Sequence, residues 1–302
     1  MVPRVTVVIP TYNRWPMIGE AIESVLGQTY PSFELIVVDD GSTDETVARL
    51  NKYRSRLRLI SQGRRTGVSA ARNAGARGAR GDLLAFLDSD DLWQRKKLAL
   101  QADFMELHPE IAICQTEEVW IRNGVRVNPR AIHRKPDGDI FLPSLDLCLV
   151  SPSTVMMRRD LFMTLGGFDE ALPVCEDYDL WLRIGIDHQV VLISEPLVIK
   201  RGGHADQLSH SVWGMDRFRV IALQKLLRSD ISRARRDAAV DALRRKVRIL
   251  AHGARKRGKE PEALAYEAML TEFDKESRNV GDSDSRARPS QRFSSANAGT
   301  LA

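Results

Sequence analysis

From residue 4 to about residue 120 the chain alternates short apolar runs with amphipathic helical patterns, and few folds accommodate that rhythm. "VTVVIP" (5–10), "FELIVVDD" (33–40), "LRLIS" (57–61) and "DLLAFLD" (82–88) read as strands, most of them apolar without alternation, as in a sheet covered on both faces. Between them lie "PMIGEAIESVLGQ", opened by Pro16, and "STDETVARLNKY", with a capping-box start at Ser42 and Glu45. "GVSAARNAGARGA" and "QRKKLALQADFMELH" complete the set of helices. Strand–helix repetition of this kind makes βαβ crossovers. The expected class is therefore α/β, with a Rossmann-like, mainly parallel sheet flanked by helices. Sheets of this kind bind ligands beyond the carboxyl ends of their strands. Here those ends read Pro10-Thr11-Tyr12-Asn13, Asp39-Asp40-Gly41 and Asp88-Ser89-Asp90-Asp91.

The last of these poses a problem of charge. Three carboxylates within four positions repel, and each resists ionising beside the others. They form either an Asp-rich turn with a helix cap or a site for a hard divalent cation, whose charge would turn repulsion into attraction. Tyr12, just past the first strand, offers a ring face on which a nucleobase can stack. Arg64, Arg65 and Arg72 lie near the same edge, and an Arg side chain can fork onto phosphate. Arg72 could equally pair with an acid such as Asp88.

Beyond residue 111 the pattern becomes irregular, with a hairpin expected around Asn123-Gly124. "GGFDEALPVCEDYDLWLRIGI" reads as a Gly turn, a loop and a helix starting near Glu176 or Asp177, and "VVLISEPLVIKR" supplies further short strands. After Ala205 the signal is helical, with Val240, Leu243, Val247 and Leu250 on one apolar stripe and Arg244, Arg245 and Arg248 off it. From Lys275 the chain has almost no large apolar residues and is expected to be disordered. The division drawn is 1–210 for the α/β domain, 211–274 for a basic helical extension and 275–302 for the tail.

The four motifs "VTVVIPTYNRWPMIGEAIESVLGQTYPSFELIVVDDGSTDET", "GVSAARNAG", "AFLDSDDLW" and "EDYDLWLR" occur in the order found in inverting family 2 glycosyltransferases of the GT-A fold, and residues 4–200 resemble that family. The resemblance implies a nucleotide-diphosphate-sugar donor, UDP by default, a hydroxyl acceptor, and Mg²⁺ or Mn²⁺. It implies nucleotide binding by Pro10, Thr11, Tyr12, Asn13, Asp39, Asp40, Arg72 and Asp88, with Asp40 rather than Asp39 on the base. Asp88, Asp90 and Asp91 would serve the metal, and His204, after the helix, would complete its shell. Asp177 is the implied general base, with Glu176 second. Trp181 is either packing or an acceptor platform, and Cys175 a buried filler. The pathway implied is cell-surface polysaccharide or glycoconjugate synthesis. A non-catalytic nucleotide-sugar-binding protein of the same fold is the alternative.

Charge and cysteine content bear on partners and compartment. The net charge of +5 is concentrated after residue 200, which suits a peripheral contact of the basic helices with an anionic inner membrane face. No nucleic-acid-binding signature accompanies those helices. No apolar run approaches the roughly 20 residues of a membrane span. The opening "MVPRVTVVIP" reads as a first strand rather than a leader, and three scattered cysteines suggest a reducing, cytoplasmic setting.

Overall fold

The computed structural model describes residues 3–203 and 212–270. Its first half follows the expected alternation: β1 (Val5–Thr11), α1 (Met17–Leu26), β2 (Phe33–Asp39), α2 (Thr46–Leu50), β3 (Arg58–Ser61), α3 (Val68–Arg77), β4 (Leu83–Phe86). Then come β5 (Leu92–Trp93), α4 (Lys97–Leu107), β6 (Ile113–Arg122), β7 (Val125–Val127), α5 (Phe141–Ser144), β8 (Met156–Arg158) and α6 (Arg159–Thr164). The series closes with α7 (Glu176–Ile184), β9 (Val191–Gly202), α8 (Met215–Leu226) and α9 (Arg233–Lys256). The sheet order is β3-β2-β1-β4-β8-β6-β9-β5, with β7 paired to β6. It is parallel from β3 through β4, and β8 enters antiparallel to both β4 and β6.

Side-chain alternation along the parallel strands creates two cores. Val5, Val7 and Ile9 of β1 face Ile18, Ile22 and Val25 of α1 together with Leu98 and Met105 of α4. Val8, Ile36, Val38, Leu84 and Phe86 face the other way, against α3 and Phe162, Leu180 and Trp181. Burying each of these large side chains stabilises the fold by about 1.5–3 kcal/mol before entropy is counted. On the second face α3 sits close: a Cβ on Gly75 would lie 2.3 Å from Val8 Cγ1. That approach fixes α3 against the strands whose ends carry the acids.

Several local expectations change. The capping box at Ser42 and Glu45 does not form. Ser42 Oγ instead accepts the Asn13 N–H (2.9 Å), and α2 begins only at Thr46, whose N–H donates to Asp44 Oδ1 (2.9 Å). Residues 191–202 make one strand of 12 residues rather than several short ones. The hairpin stands as expected, with Asn123 (φ 48°) and Gly124 (φ 77°) both left-handed at its turn.

The described residues divide into two compact units, with the boundary between residues 246 and 247, inside α9. In the first unit α8 packs on α7, and Arg245 forks onto Asp146 at 2.9 and 3.1 Å. In the second, Arg255 pairs with Glu260 and Glu267. Val240, Leu243, Val247 and Leu250 are all buried, so the apolar stripe is core and not a membrane-facing surface. None of the described helices is long and apolar enough to cross a membrane. His204 and the tail from Lys275 lie outside the described residues.

Candidate active site

The carboxyl ends of β1, β2 and β4 open into a cleft of about 1030 Å³, closed on its far side by residues 170–177, by Lys200 and Arg201 of β9, and by Val212 and Met215. Pro10, Thr11, Tyr12, Asn13, Asp40, Arg72, Asp88, Asp90, Asp91, Glu176 and Asp177 all line it. The strand-end rule thus brings together in one cavity every described residue expected at the site except Asp39.

On the β1–β2 side the polar groups divide into open and committed ones. Thr11 Oγ1 is buried without a hydrogen-bond partner, an acceptor and donor in reserve on the cleft wall. Tyr12 presents its ring at the cleft, with the Arg65 guanidinium 4.4 Å from the ring centre. Asn13 (φ 50°) is a clasp, its Oδ1 accepting the Thr43 N–H at 2.8 Å, so it holds the two loops together. Asp39 is buried, accepts the Ser42 N–H and does not line the cleft. Asp40 Oδ1 accepts from Thr66 N (2.6 Å) and Thr66 Oγ1 (2.7 Å), and its Oδ2 accepts from Gly67 N (2.8 Å).

At the end of β4 the three aspartates differ in environment. Asp91 is 2% exposed, with Oδ2 accepting the Ser153 hydroxyl (2.7 Å) and Oδ1 the Arg201 N–H (2.9 Å). Burial, then the charges of Asp90 and Asp88, push its carboxyl well above the usual range. Asp91, expected among the metal ligands, lines the cleft with both carboxyl oxygens engaged by the Ser153 and Arg201 donors. Asp90 and Asp88 are half-buried at the cleft surface, and Arg201 Nε donates to the Asp90 carbonyl. No group of three or more His, Cys, Asp or Glu side chains close enough to hold a metal occurs among the described residues. Two cleft-facing carboxylates nevertheless fit Mg²⁺ or Mn²⁺, because hard cations of this kind bind through one or two carboxylates plus substrate phosphate and water.

Across the cleft, Cys175 (φ 63°) turns the chain into α7, where Glu176 and Asp177 stand side by side. Glu176 is 4% exposed and accepts from Arg72 Nη1 at 2.6 Å. Burial and the neighbouring Asp177 push its carboxyl up to about 7 against the pull of Arg72. Asp177 is more exposed, with Oδ1 accepting the Tyr178 N–H at 2.7 Å. The other fork of Arg72 reaches Asp88 Oδ1 at 2.5 Å. Arg72 pairs with Asp88, the alternative offered beside nucleotide binding, and with Glu176, as a buried strut between the two acidic sets. Trp181, at 1% exposure, is packing and not an acceptor platform. Burial raises the Cys175 thiol to about 12, as suits a filler.

Three site residues escaped sequence reasoning. Ser153 and Arg201 hold Asp91, and Lys200 Nζ donates to Ser151 Oγ (3.0 Å) beside the acids. Burial would lower the Lys200 pKa, but Glu118, Asp91 and Asp88 raise it above its usual value. The only sequence sign was two basic residues closing a strand, which is too common to be informative.

Residues 6–166 match Glycosyl transferase family 2. An uncharacterised glycosyltransferase of Rickettsia felis is 34% identical over 64% of the chain and 32% of its own length. The chain thus spans about a third of that relative. The Escherichia coli UDP-Glc:alpha-D-GlcNAc-diphosphoundecaprenol beta-1,3-glucosyltransferase WfgD is 34% identical over 63% of the chain and 73% of its own length. In fold the chain resembles the mannosyltransferase PcManGT of Pyrobaculum calidifontis, solved with GDP-Man and Mn²⁺ (TM-score 0.61, 24% identity, 89% of this chain and 81% of that one). With more than half of its length inside the family's boundaries and the expected acids gathered in one cleft, the chain belongs to glycosyl transferase family 2.

Proposed function

We propose that the chain transfers a sugar, with inversion, from a nucleoside-diphosphate donor to an acceptor hydroxyl. UDP is the favoured nucleotide and a lipid-linked saccharide the favoured acceptor. The observation that carries this reading is the opposition of two acidic sets across one cleft, Asp88 and Asp90 on one wall and Asp177 on the other. Thr11 and Tyr12 would take the nucleoside. Asp88 and Asp90 would hold Mg²⁺ or Mn²⁺, which supplies positive charge to the departing diphosphate. Asp177 takes the proton of the acceptor hydroxyl, and that oxygen bonds to the anomeric carbon as the bond to the diphosphate breaks on the opposite face. Asp177 stands in the first turn of α7, facing the cleft. Glu176, fastened to Arg72, keeps the turn into α7 in place and leaves the proton to its neighbour.

The names of the E. coli relative and the archaeal fold neighbour support UDP-glucose, a diphosphoundecaprenol-linked acceptor and Mn²⁺ as the first compounds to try. Such an acceptor would bring the enzyme to a membrane surface, with basic side chains rather than an apolar stripe making the contact. A thermal-shift panel of UDP-, GDP- and dTDP-sugars, with and without Mn²⁺, tests the donor. A ligand at a hundredfold excess over its dissociation constant stabilises the protein by about 2.7 kcal/mol. A panel with no stabilising member rejects the reading.

A further inference from the structure

We propose that α8 carries a subsite for the acceptor's own diphosphate, in which the Arg217 guanidinium binds the diphosphate and Trp213 and Ile221 receive the start of the lipid chain attached to it. The proposal rests on the lipid-linked acceptor argued above and adds the residues that would select it. Cys175 Sγ donates to the Met215 carbonyl (3.7 Å), so the first turn of α8 is tied to the chain two residues before Asp177. Val212 and Met215 line the cleft together with Asp177. In a sugar carried on a diphosphate, the diphosphate begins one pyranose ring beyond the reacting hydroxyl. With that hydroxyl at Asp177, the start of α8 is a wall within the acceptor's reach.

The faces of α8 differ in character. Val220, Leu223 and Leu226 are buried, whereas Arg217 and Ile221, four residues apart, share another face, and Ile221 is 43% exposed. Just before the helix Trp213 is 50% exposed. Its ring and that of Phe218 lie 4.9 and 5.3 Å from the Arg217 guanidinium, and Arg217 Nη2 donates to the Trp213 carbonyl at 2.7 Å. Among the described residues no carboxylate pairs with Arg217, whereas Arg219 is bound to Asp216 at 3.0 Å. Lys200 and Arg201, cations that line the cleft, are likewise committed, to Glu118 and Glu20. Arg217 is thus a planar cation steadied by two rings with its charge uncancelled, the form that binds phosphate by a fork. An exposed indole one turn before it and an exposed isoleucine one turn after it supply apolar surface, which suits a prenyl chain and is of no use to a free anion. The segment lies beyond residue 166, where the family match ends, so acceptor choice can differ here between relatives that share the cleft.

Calorimetry on the full chain, loaded with UDP and Mn²⁺ (or with GDP if that binds more tightly), compares GlcNAc-diphosphate-decyl, GlcNAc-diphosphate-methyl and decyl GlcNAc, which lacks phosphate. Wild type should bind the first most tightly. Arg217→Ala should weaken both diphosphate ligands by roughly 10–100-fold, the range for hydrogen bonds to a charged group, and leave decyl GlcNAc unchanged. Arg217→Lys, which keeps the charge without the fork, should fall between. Ile221→Ser should weaken the two decyl ligands about 5-fold and spare the methyl one. Nucleotide affinity should be that of wild type in every variant, which shows that the cleft is intact. Wild type that binds decyl GlcNAc as tightly as its diphosphate counterpart overturns the proposal. So does an Arg217→Ala variant that matches wild type on all three ligands, or one that weakens all three equally. If Arg217→Ala instead loses flotation with phosphatidylglycerol vesicles while its three affinities stay at wild-type values, this face of α8 belongs to the membrane surface and the subsite is rejected. Wild type that binds UDP or GDP but none of the three ligands rejects the subsite alone, whereas wild type that binds neither nucleotide rejects the donor reading itself.

Discussion

The carboxylates at the end of β4 and those at the start of α7 bear the same charge and face the same cleft, yet their buried members are held by opposite means. Asp91 is fastened by neutral donors, the Ser153 hydroxyl and the Arg201 N–H. Glu176 is fastened by a cation, the buried Arg72 guanidinium. In each set a buried carboxylate backs a more exposed neighbour, Asp91 behind Asp90 and Glu176 behind Asp177. On the β4 side the neutral donors engage Asp91 alone, while Asp88 accepts from the Arg72 cation. A guanidinium offsets the charge of its partner, which suits an acid whose task is to stay in place. Because Arg72 also reaches Asp88, the two walls share one brace.

The strongest way to break this comparison is to neutralise the exposed member of each set. Asp177→Asn should lower transfer from UDP-glucose to a synthetic GlcNAc-diphospholipid by about 10²–10⁴-fold while UDP binding stays as in wild type. Asp90→Asn should weaken Mn²⁺-dependent UDP binding together with turnover. A near-normal rate in Asp177→Asn moves the base to Glu176, and normal metal-dependent binding in Asp90→Asn moves the ligand role to Asp88 or Asp91.

Removing the shared brace comes next. Arg72→Met strands Glu176 in the interior and strips Asp88 of its cation, and urea unfolding should show a loss of about 3–5 kcal/mol at an unchanged slope. A loss below 1 kcal/mol would mean that the two walls stand independently. A smaller effect concerns pH. Since Glu176 sits at about 7 in the folded protein and titrates near 4.3 when unfolded, the folded state holds the extra proton between those values. Its contribution is therefore full below the unfolded value and is lost as pH rises toward 7. Melting temperatures from pH 5 to 7.5 should show wild type losing ground to Glu176→Gln as pH increases, whereas a constant offset would show that Arg72 keeps Glu176 ionised throughout. The smallest change expected is in Ser153→Ala, about 1–3 kcal/mol from the lost bond to Asp91. It should disturb Mn²⁺-dependent UDP binding and spare the Asp177 side.

The strands and helices through α4 were legible because each carries its own apolar period, and the site was legible because strand ends in such a sheet converge. What could not be read depends on partners distant in the chain. Ser42 looked like a helix cap until the Asn13 N–H, 29 residues earlier, claimed its hydroxyl. Arg72 could be read as a phosphate ligand or as the partner of Asp88; the pairing with Asp88 is found, and the second partner, Glu176, lies 104 residues away. The stripe from Val240 to Leu250 has the same periodicity whether it faces lipid or protein, and only the fold shows that it is buried. Trp181 posed the same ambiguity with a single side chain.

The pairing of β5 with β9 sets an order of events during synthesis. Strands β3-β2-β1-β4, whose ends carry Thr11, Tyr12 and Asp40, are all present once residue 86 has been made. The acidic turn that follows is anchored through Leu92↔Ile199 and Trp93↔Val198 and through the Arg201 N–H on Asp91, 110 residues further on. Until the ribosome delivers β9, the acids beside β4 lack their backbone donor, and β6 lacks its parallel partner and presents an open edge. Half of the cleft therefore predates the other half. A chain stalled between β8 and β9 would have its β1–β2 wall in place, an unbraced acidic turn after β4 and a strand edge open to other chains.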